Sequence, residues 1–217
     1  MKRKIKSYFA FTTVSYRIIG LILIPLLLLL SSVGMLCQSY NSSGFYQQII
    51  LYNYVLSYEI IADHWVLGGC FSYKGKHLKY FKTSLKGVEV MGNVTLIDLM
   101  RRLLYCMVFA VAAFMLTGKK IDIVNGLAMY CVMVGVLHGS RHIDSLQRMM
   151  GIAFLAQIPL AIVNVLNNCL ILYTGISEWV MLTSLTVIYG VIAIVVSRLM
   201  VRRITACVCQ HENEERD

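Results

Sequence analysis

The sequence predicts an all-α integral membrane protein with six transmembrane helices, both termini in the cytoplasm, and short interfacial or amphipathic helices on the cytoplasmic side. Three observations lead to this prediction. Hydrophobic residues make up 58% of the 217 residues and charged residues only 14%, whereas soluble domains are about half apolar and about a quarter charged. Several apolar blocks approach or exceed the roughly 18 residues that a helix needs to cross a bilayer. The basic residues are concentrated in a few segments between these blocks.

Charge and cysteine content argue against two other classes of protein. The net charge is +9, but in a membrane protein an excess of Lys and Arg marks cytoplasmic loops and anionic lipid headgroups. We therefore expect membrane lipids, and no nucleic acid, as partners. The seven cysteines are odd in number and lack paired spacing, which argues against a disulfide framework. Cys207 and Cys209 beside His211 could bind a metal or carry lipid, yet a membrane-proximal tail is favoured.

The first apolar block is clearly predicted to span the membrane, whereas the second is ambiguous. Residues 1–16 are basic and aromatic, and they form either an interfacial segment or a polar tail. Residues 18–36 are too long an apolar run for a signal peptide and lack a cleavage site, so a retained first span is predicted. Pro25 is tolerated there because a neighbouring helix can bond to the freed carbonyl. Residues 45–62 are apolar but carry several polar side chains, and hydropathy alone does not decide between a span and a surface helix.

Four more spans are predicted in a single membrane domain that covers residues 1–217. Their predicted ranges are 103–117, 121–137, 149–174 and 179–199. Lys119 and Lys120 separate the first two of these spans, Pro159 breaks the third, and a tight turn at 175–178 precedes the last.

The distribution of basic residues decides the topology. If 45–62 is a span, there are six spans, and 18 of the 20 basic residues lie on one side of the membrane, with only Lys119 and Lys120 opposite. If it is a surface helix, the split becomes seven against 13. Basic residues concentrate in cytoplasmic loops. The six-span arrangement is therefore preferred, with both termini and the loop 63–102 in the cytoplasm.

The loop 63–102 holds seven basic residues, of which Arg101 and Arg102 come last. Glu59 and Asp63 stand at its start, at the predicted edge of the membrane. Acids in that position are costly and usually have a partner or a function. An ion pair with a nearby Lys or Arg is favoured, and a proton or ion pathway is the alternative.

Part of this loop has the pattern of a short amphipathic surface helix. Leu78, Phe81 and Leu85 recur at helical spacing. The lysines that directly follow them, Lys79, Lys82 and Lys86, lie on a neighbouring face. Such a helix binds anionic lipid or presents a ridge to a cytoplasmic partner.

No strong catalytic motif is present. The chain has neither a phosphate-binding glycine loop nor a HExxH motif, so we predict no ATP hydrolysis by the chain alone and no catalytic activity of its own. His64 and Cys70 could form a base and nucleophile pair, but their spacing places them on different helix faces. His138 and His142 could share a metal, although a polar loop at the membrane surface is favoured. We predict neither a cofactor nor a metal.

Three asparagines interrupt the fifth predicted span. Asn164 and Asn168 share a helix face, and Asn167 lies beside it. Asn side chains bond across helices in lipid, at about 0.6–2 kcal/mol each. Interhelical bonding is the favoured interpretation, and the lining of a translocation path is the alternative.

These features together resemble the membrane subunits of ABC-2-type transporters, and in particular the small bacterial permeases. The resemblance lies in the six spans, the short outer turns, and a second span that ends in Glu59 and is followed by the basic segment from Leu78 to Ser84. It departs from the family at the outer turn between the last two spans, which has about four residues where the family often has re-entrant helices.

The resemblance implies a multi-pass permease subunit of an ATP-driven exporter in the plasma membrane. It implies a separate ATP-binding subunit as partner, docked on the cytoplasmic loop, and a homodimer or a heterodimer with another permease. The residues expected to couple the chain to its ATPase are Glu59, Asp63, Leu78, Lys79, Phe81, Lys82 and Lys86. Two alternatives remain open, namely a membrane-embedded cysteine endopeptidase that processes peptides with His64 and Cys70, and a non-catalytic membrane partner or immunity protein.

Overall fold

The computed structural model describes residues 9, 16–28, 30, 54–60, 86–140, 146–173 and 177–214. Within these ranges every regular element is helical and none is a strand. This confirms the all-α class for the described part of the chain.

The described ranges contain seven helical segments of more than one residue, numbered in chain order. The helix α1 opens as a π-helix at Tyr16–Leu23 and continues as an α-helix to residue 28, and α2 covers residues 54–60. The others are α3 (Gly87–Thr117), α4 (Ile121–Ser140), α5 (Leu146–Leu155), α6 (Gln157–Tyr173) and α7 (Glu178–Glu214).

Three segments of these helices are long and apolar enough to cross a membrane. They are Ile121–His138 in α4, Gly151–Ile171 across α5 and α6, and Glu178–Arg202 in α7. They coincide with the last three predicted spans. The apolar segment Ile18–Leu28 belongs to the first predicted span, and α2 belongs to the second. The remaining residues of the first two predicted spans lie outside the described ranges.

Helix α4 is the centre of the bundle. It packs against α3, α5, α6 and α7, and 67% of its apolar segment is buried, compared with 22% for the segment in α5 and α6 and 17% for that in α7. Met129, Met133 and Leu137 of α4 are fully buried in the main apolar core. The outer helices expose large apolar side chains such as Ile162 and Val187. Helices that are apolar all round are typical of a lipid environment.

Helix α3 begins earlier than the sequence predicts. The predicted span starts at residue 103, after a polar loop, whereas the helix starts at Gly87. Charged residues interrupt the apolar pattern over 87–102, but they leave a buried face on which Met91 and Val94 pack into the core. Residues 87–102 of the predicted loop 63–102 are therefore helical. At its other end α3 stops at Gly118, whose φ of 69° places it in the left-handed region that favours glycine.

The fifth predicted span is interrupted close to its proline. Helix α5 ends at Leu155, Ala156 forms a turn, and α6 begins at Gln157. In a continuous helix Pro159 would leave the carbonyl of Leu155 without its donor and would clash with it. In the structure Pro159 is the third residue of α6, where backbone nitrogens need no partner within the helix.

One end of the bundle brings two turns together. The Nζ atom of Lys120, in the turn between α3 and α4, lies 3.7 Å from Oε2 of Glu178 and 4.1 Å from the centre of the Trp179 ring. Helix α7 therefore starts beside the start of α4. Lys120 and Glu178 therefore lie at the same end of the described bundle. They belong to two of the three turns that the charge distribution assigns to the outer side of the membrane, and the third, 37–44, lies outside the described ranges.

Candidate functional site

Four charged side chains form a buried cluster between α2 and α3. Asp98, Arg101 and Arg102 lie at i, i+3 and i+4 on one side of α3, and Glu59 comes from α2. The side chains of Glu59, Asp98 and Arg102 are no more than 1% exposed, and that of Arg101 is 10% exposed. We call this set the ionic cluster.

Within the ionic cluster each carboxylate oxygen accepts from an arginine. Arg101 donates to both oxygens of Glu59, at 3.0 Å to Oε1 and 2.8 Å to Oε2. Arg102 donates through Nη1 to Oε2 of Glu59 at 2.9 Å and through Nε to Oδ2 of Asp98 at 2.8 Å. Arg101 also reaches Oδ1 of Asp98, at 3.1 Å from Nη2. Among the described residues, the two acids offset the charge of the two arginines, and such pairing is what makes burial of charges tolerable.

The surroundings of the ionic cluster tie four helices together. Arg102 also donates to the backbone oxygen of Glu59 at 3.0 Å and lies 3.8 Å from Sδ of Met133 on α4. The guanidinium of Arg101 lies 5.1 Å from the centre of the Tyr105 ring, and the Tyr105 hydroxyl donates to the backbone oxygen of Leu21 on α1. A second tyrosine, Tyr58 of α2, donates to the backbone of α1 in the same way.

The ionic cluster lies away from the end that holds Lys120. Arg102 precedes the end of α3 by a rise of about 22 Å at 1.5 Å per residue. The hydrocarbon core of a bilayer is about 30 Å thick. If the turn at Gly118–Lys120 marks one membrane surface, the cluster lies in the opposite half of the bilayer.

A second set of buried polar side chains joins α4, α6 and α7. Nδ2 of Asn167 donates to Oδ1 of Asn125 at 3.0 Å, and the hydroxyl of Tyr189 donates to Oδ1 of Asn167 at 2.8 Å. These are the interhelical bonds that the sequence favours for the asparagines. Asn168 differs, because its Nδ2 donates within α6 to the backbone oxygen of Asn164 at 2.7 Å. The side-chain amide of Asn164 is buried, and neither of its polar atoms has a hydrogen-bond partner in the described structure.

Only some of the predicted site residues lie within the ranges that the structure describes. Glu59 lies in the ionic cluster, and Lys86 is exposed immediately before α3. Other predicted coupling and catalytic residues lie outside the described ranges, namely Asp63, His64, Cys70, Leu78, Lys79, Phe81 and Lys82.

The residues considered, and disfavoured, for metal binding are only partly described. His142 is outside the described ranges, and Cys207, Cys209 and His211 lie on the C-terminal part of α7. In the part of the chain that the structure describes, no three His, Cys, Asp or Glu residues are grouped to hold a metal ion.

The sequence predicts a Lys or Arg partner for Glu59 but does not identify it, and the structure shows Arg101 and Arg102 in that role. From the sequence, Arg101 and Arg102 count as charges of a cytoplasmic loop, whereas the structure places both in the ionic cluster. Asp98 has no predicted role at all. The available signal is an acid followed by arginines at i+3 and i+4 directly before an apolar block, a spacing at which helical side chains meet.

The fold and the site define a class: a helical bundle with segments of membrane-spanning length and a buried ionic cluster between two of its helices. Comparison of the chain with protein-family models, with curated proteins and with solved structures gave no match in any of the three.

Proposed function

We propose that the chain is the six-span permease subunit of an ATP-driven exporter in the plasma membrane. In this proposal its termini are cytoplasmic, and its loop 63–86 docks on a separate ATP-binding subunit. The observation that supports it best is the bonding of Glu59 to Arg101 and Arg102. This bonding fixes α2 to α3, and these are the two helices between which the loop lies.

A loop that couples a partner to the membrane helices must be anchored to those helices at both ends. A partner that pushes on a loop moves the membrane helices only if the ends of that loop are held to the helices. Separating α2 from α3 would leave buried charges unpaired, at about 3–5 kcal/mol for a broken buried pair. The ionic cluster therefore favours movement of both helices as a unit when the loop is displaced.

The length of α3 supports the same topology. Its 31 residues span about 46 Å, which exceeds the hydrocarbon core of about 30 Å. If α3 leaves the membrane at Gly118, its first turns project beyond the opposite surface, where Lys86 is exposed. Moving Arg101 and Arg102 from the loop to the ionic cluster still leaves only Lys119 and Lys120 on the outer side, so the positive-inside preference keeps its direction.

The apolar surfaces of α6 and α7 support an environment of lipid or of a second permease subunit around these helices. Large side chains such as Ile162, Leu166 and Val195 are exposed along these helices. In the proposed protein they contact lipid or a second permease subunit, in a homodimer or a heterodimer.

Reversing the charge of Lys79, Lys82 and Lys86 together is expected to abolish co-purification of the ATP-binding subunit. The tagged chain is purified in mild detergent from the cells that encode it, and the bound proteins are identified by mass spectrometry and assayed for ATP hydrolysis. The expected result is a protein with ATPase activity that binds the original chain and is lost from the triple variant.

The matched control is Lys119→Glu, a charge reversal at an exposed site at the other end of α3, which should leave co-purification unchanged. An ATPase that binds the triple variant as well as the original chain would eliminate loop coupling. If no ATPase binds at all, a non-catalytic membrane partner takes the place of the permease.

A further inference from the structure

Asn164 is a described residue whose side-chain amide is buried with both of its polar atoms unsatisfied. The residue is 2% exposed, and neither Oδ1 nor Nδ2 has a hydrogen-bond partner in the described structure. Asn167, one turn further along the same face, is equally buried but bonds to both α4 and α7. A buried polar group without a partner costs on the order of 1–3 kcal/mol. Such a cost is tolerated where the group has a use.

The position of Asn164 is that of a ligand site in a transporter. It lies near the middle of the candidate span Gly151–Ile171, and so near the bilayer midplane in the proposed protein. The helix that carries it is interrupted at Ala156, where α5 gives way to α6. Interrupted helices that present polar groups near the midplane are a recurrent way to build substrate sites in membranes.

We propose that Asn164, three residues before Asn167 and its bonds to Asn125 and Tyr189, binds an uncharged amide group of the transported molecule. This inference rests on the proposed function for the purpose of the site. A carboxamide offers one acceptor and two donors in a plane. A second amide offers the same groups in the complementary order, so that two bonds form side by side.

The surroundings of Asn164 favour a neutral ligand. The bonded polar side chains one turn further along α6, namely Asn125, Asn167 and Tyr189, carry no charge, and a charged ligand buried next to them would lack compensation from them. Asp122 of α4 does not supply this compensation, because its place along α4, which runs antiparallel to α6, is on the far side of Asn125. It lies one turn beyond Asn125 on the side away from Asn164, and accepts from the hydroxyl of Thr117 at 2.5 Å.

Access to Asn164 requires α6 to move away from α4. The segment across α5 and α6 is 22% buried, compared with 67% for that of α4, so less packing opposes the movement of α6. The interruption at Ala156 provides a point about which α6 turns. In this proposal the structure is the closed form, in which the side-chain amide of Asn164 has no hydrogen-bond partner.

Substitution of two asparagines separates this proposal from a merely structural role. Asn164→Leu, which replaces an unsatisfied amide by an apolar group of similar shape, is expected to raise the Tm of the purified chain in detergent by about 3 °C. Asn167→Leu serves as the matched comparison, with the same residue type, helix face and burial, and it should lower Tm because two interhelical bonds are lost. A fall in Tm for Asn164→Leu as large as that for Asn167→Leu would show that the amide is bonded in the closed form and would overturn the proposal.

The ligand class is tested with a neutral probe, N-acetylglycinamide, at millimolar concentration. A saturable rise in Tm is expected for the original chain and none for Asn164→Leu. N-acetylglycine and glycinamide, which carry a charge at neutral pH, should give no rise. Absence of a shift with the neutral probe, or equal shifts with the charged ones, would reject the assignment. Since these measurements need no ATPase, their outcome is independent of the co-purification experiment.

Discussion

Replacement of Arg102 by methionine is expected to lower the free energy of unfolding by about 3–5 kcal/mol. The side chain is 1% exposed and donates to Glu59 and Asp98, so its removal leaves two buried acids with Arg101 as their remaining arginine. The methionine fills much of the same volume, and the loss therefore reports charge and hydrogen bonds rather than a cavity. Reversible unfolding in mixed micelles measures the change.

The double variant Glu59→Met with Arg102→Met is the critical comparison. It leaves Asp98 and Arg101, a neutral pair at 3.1 Å. We expect the double variant to lose less than the sum of the two single variants, with a coupling of about 0.5–3 kcal/mol. Arg198→Met, at an exposed arginine of α7, is the control and should change stability by about 0.5 kcal/mol or less. Strict additivity of the two single variants would show that the ionic cluster does not hold α2 to α3.

Replacement of Gly126 by alanine or valine is expected to destabilise the contact between α3 and α4. A Cβ at position 126 would lie 2.4 Å from Cβ of Ala110 and 3.1 Å from the backbone oxygen of Cys106. Contacts this short force the helices apart, at about 1–3 kcal/mol for overpacking of a tight core. Small residues are the usual means of close approach between helices in membranes. The same unfolding measurement applies.

The control for Gly126 lies on the same helix. A Cβ at Gly135 of α4 would meet no atom within 4 Å, so Gly135→Ala should be neutral or stabilising by up to about 1 kcal/mol. A second variant, Gly126→Ala with Ala110→Gly, moves the methyl group to the facing helix and should recover most of the loss. If Gly126→Ala and Gly135→Ala had equal effects, the close contact would not limit the packing of α3 on α4.

The helices that cover the last three predicted spans are predicted well because their signal is local. Residues 121–137 and 179–199 are continuous apolar blocks, and the structure places helices over both. Proline chemistry is also local, and the break near Pro159 is accordingly foreseen. For α3 the local signal misleads, since charged residues over 87–102 resemble a solvated loop. Their burial depends on neutralisation by Glu59, which is 42 residues before Arg101 in the chain.

The two polar sites could be predicted in kind but not in detail. An acid at a membrane edge predicts a basic partner for Glu59, yet hydropathy cannot select Arg101 and Arg102 over the lysines of the loop. Likewise, Asn164 and Asn167 are both asparagines, so residue type alone cannot distinguish them. Only the placement of Asn125 and Tyr189 on other helices shows that one amide is satisfied and the other is not.

Thiol labelling at the two ends of α3 tests the central claim most directly. Lys86 and Lys119 flank this helix, and the proposed topology places the first in the cytoplasm, next to the coupling loop, and the second outside. Lys86→Cys and Lys119→Cys are introduced separately into a variant in which the seven native cysteines are replaced. Intact cells are then treated with a membrane-impermeant maleimide. The prediction is that Cys at 119 reacts at once and that Cys at 86 reacts only after the membrane is permeabilised. The reverse pattern, or equal labelling of both positions in intact cells, would contradict a membrane-crossing α3 with its loop in the cytoplasm.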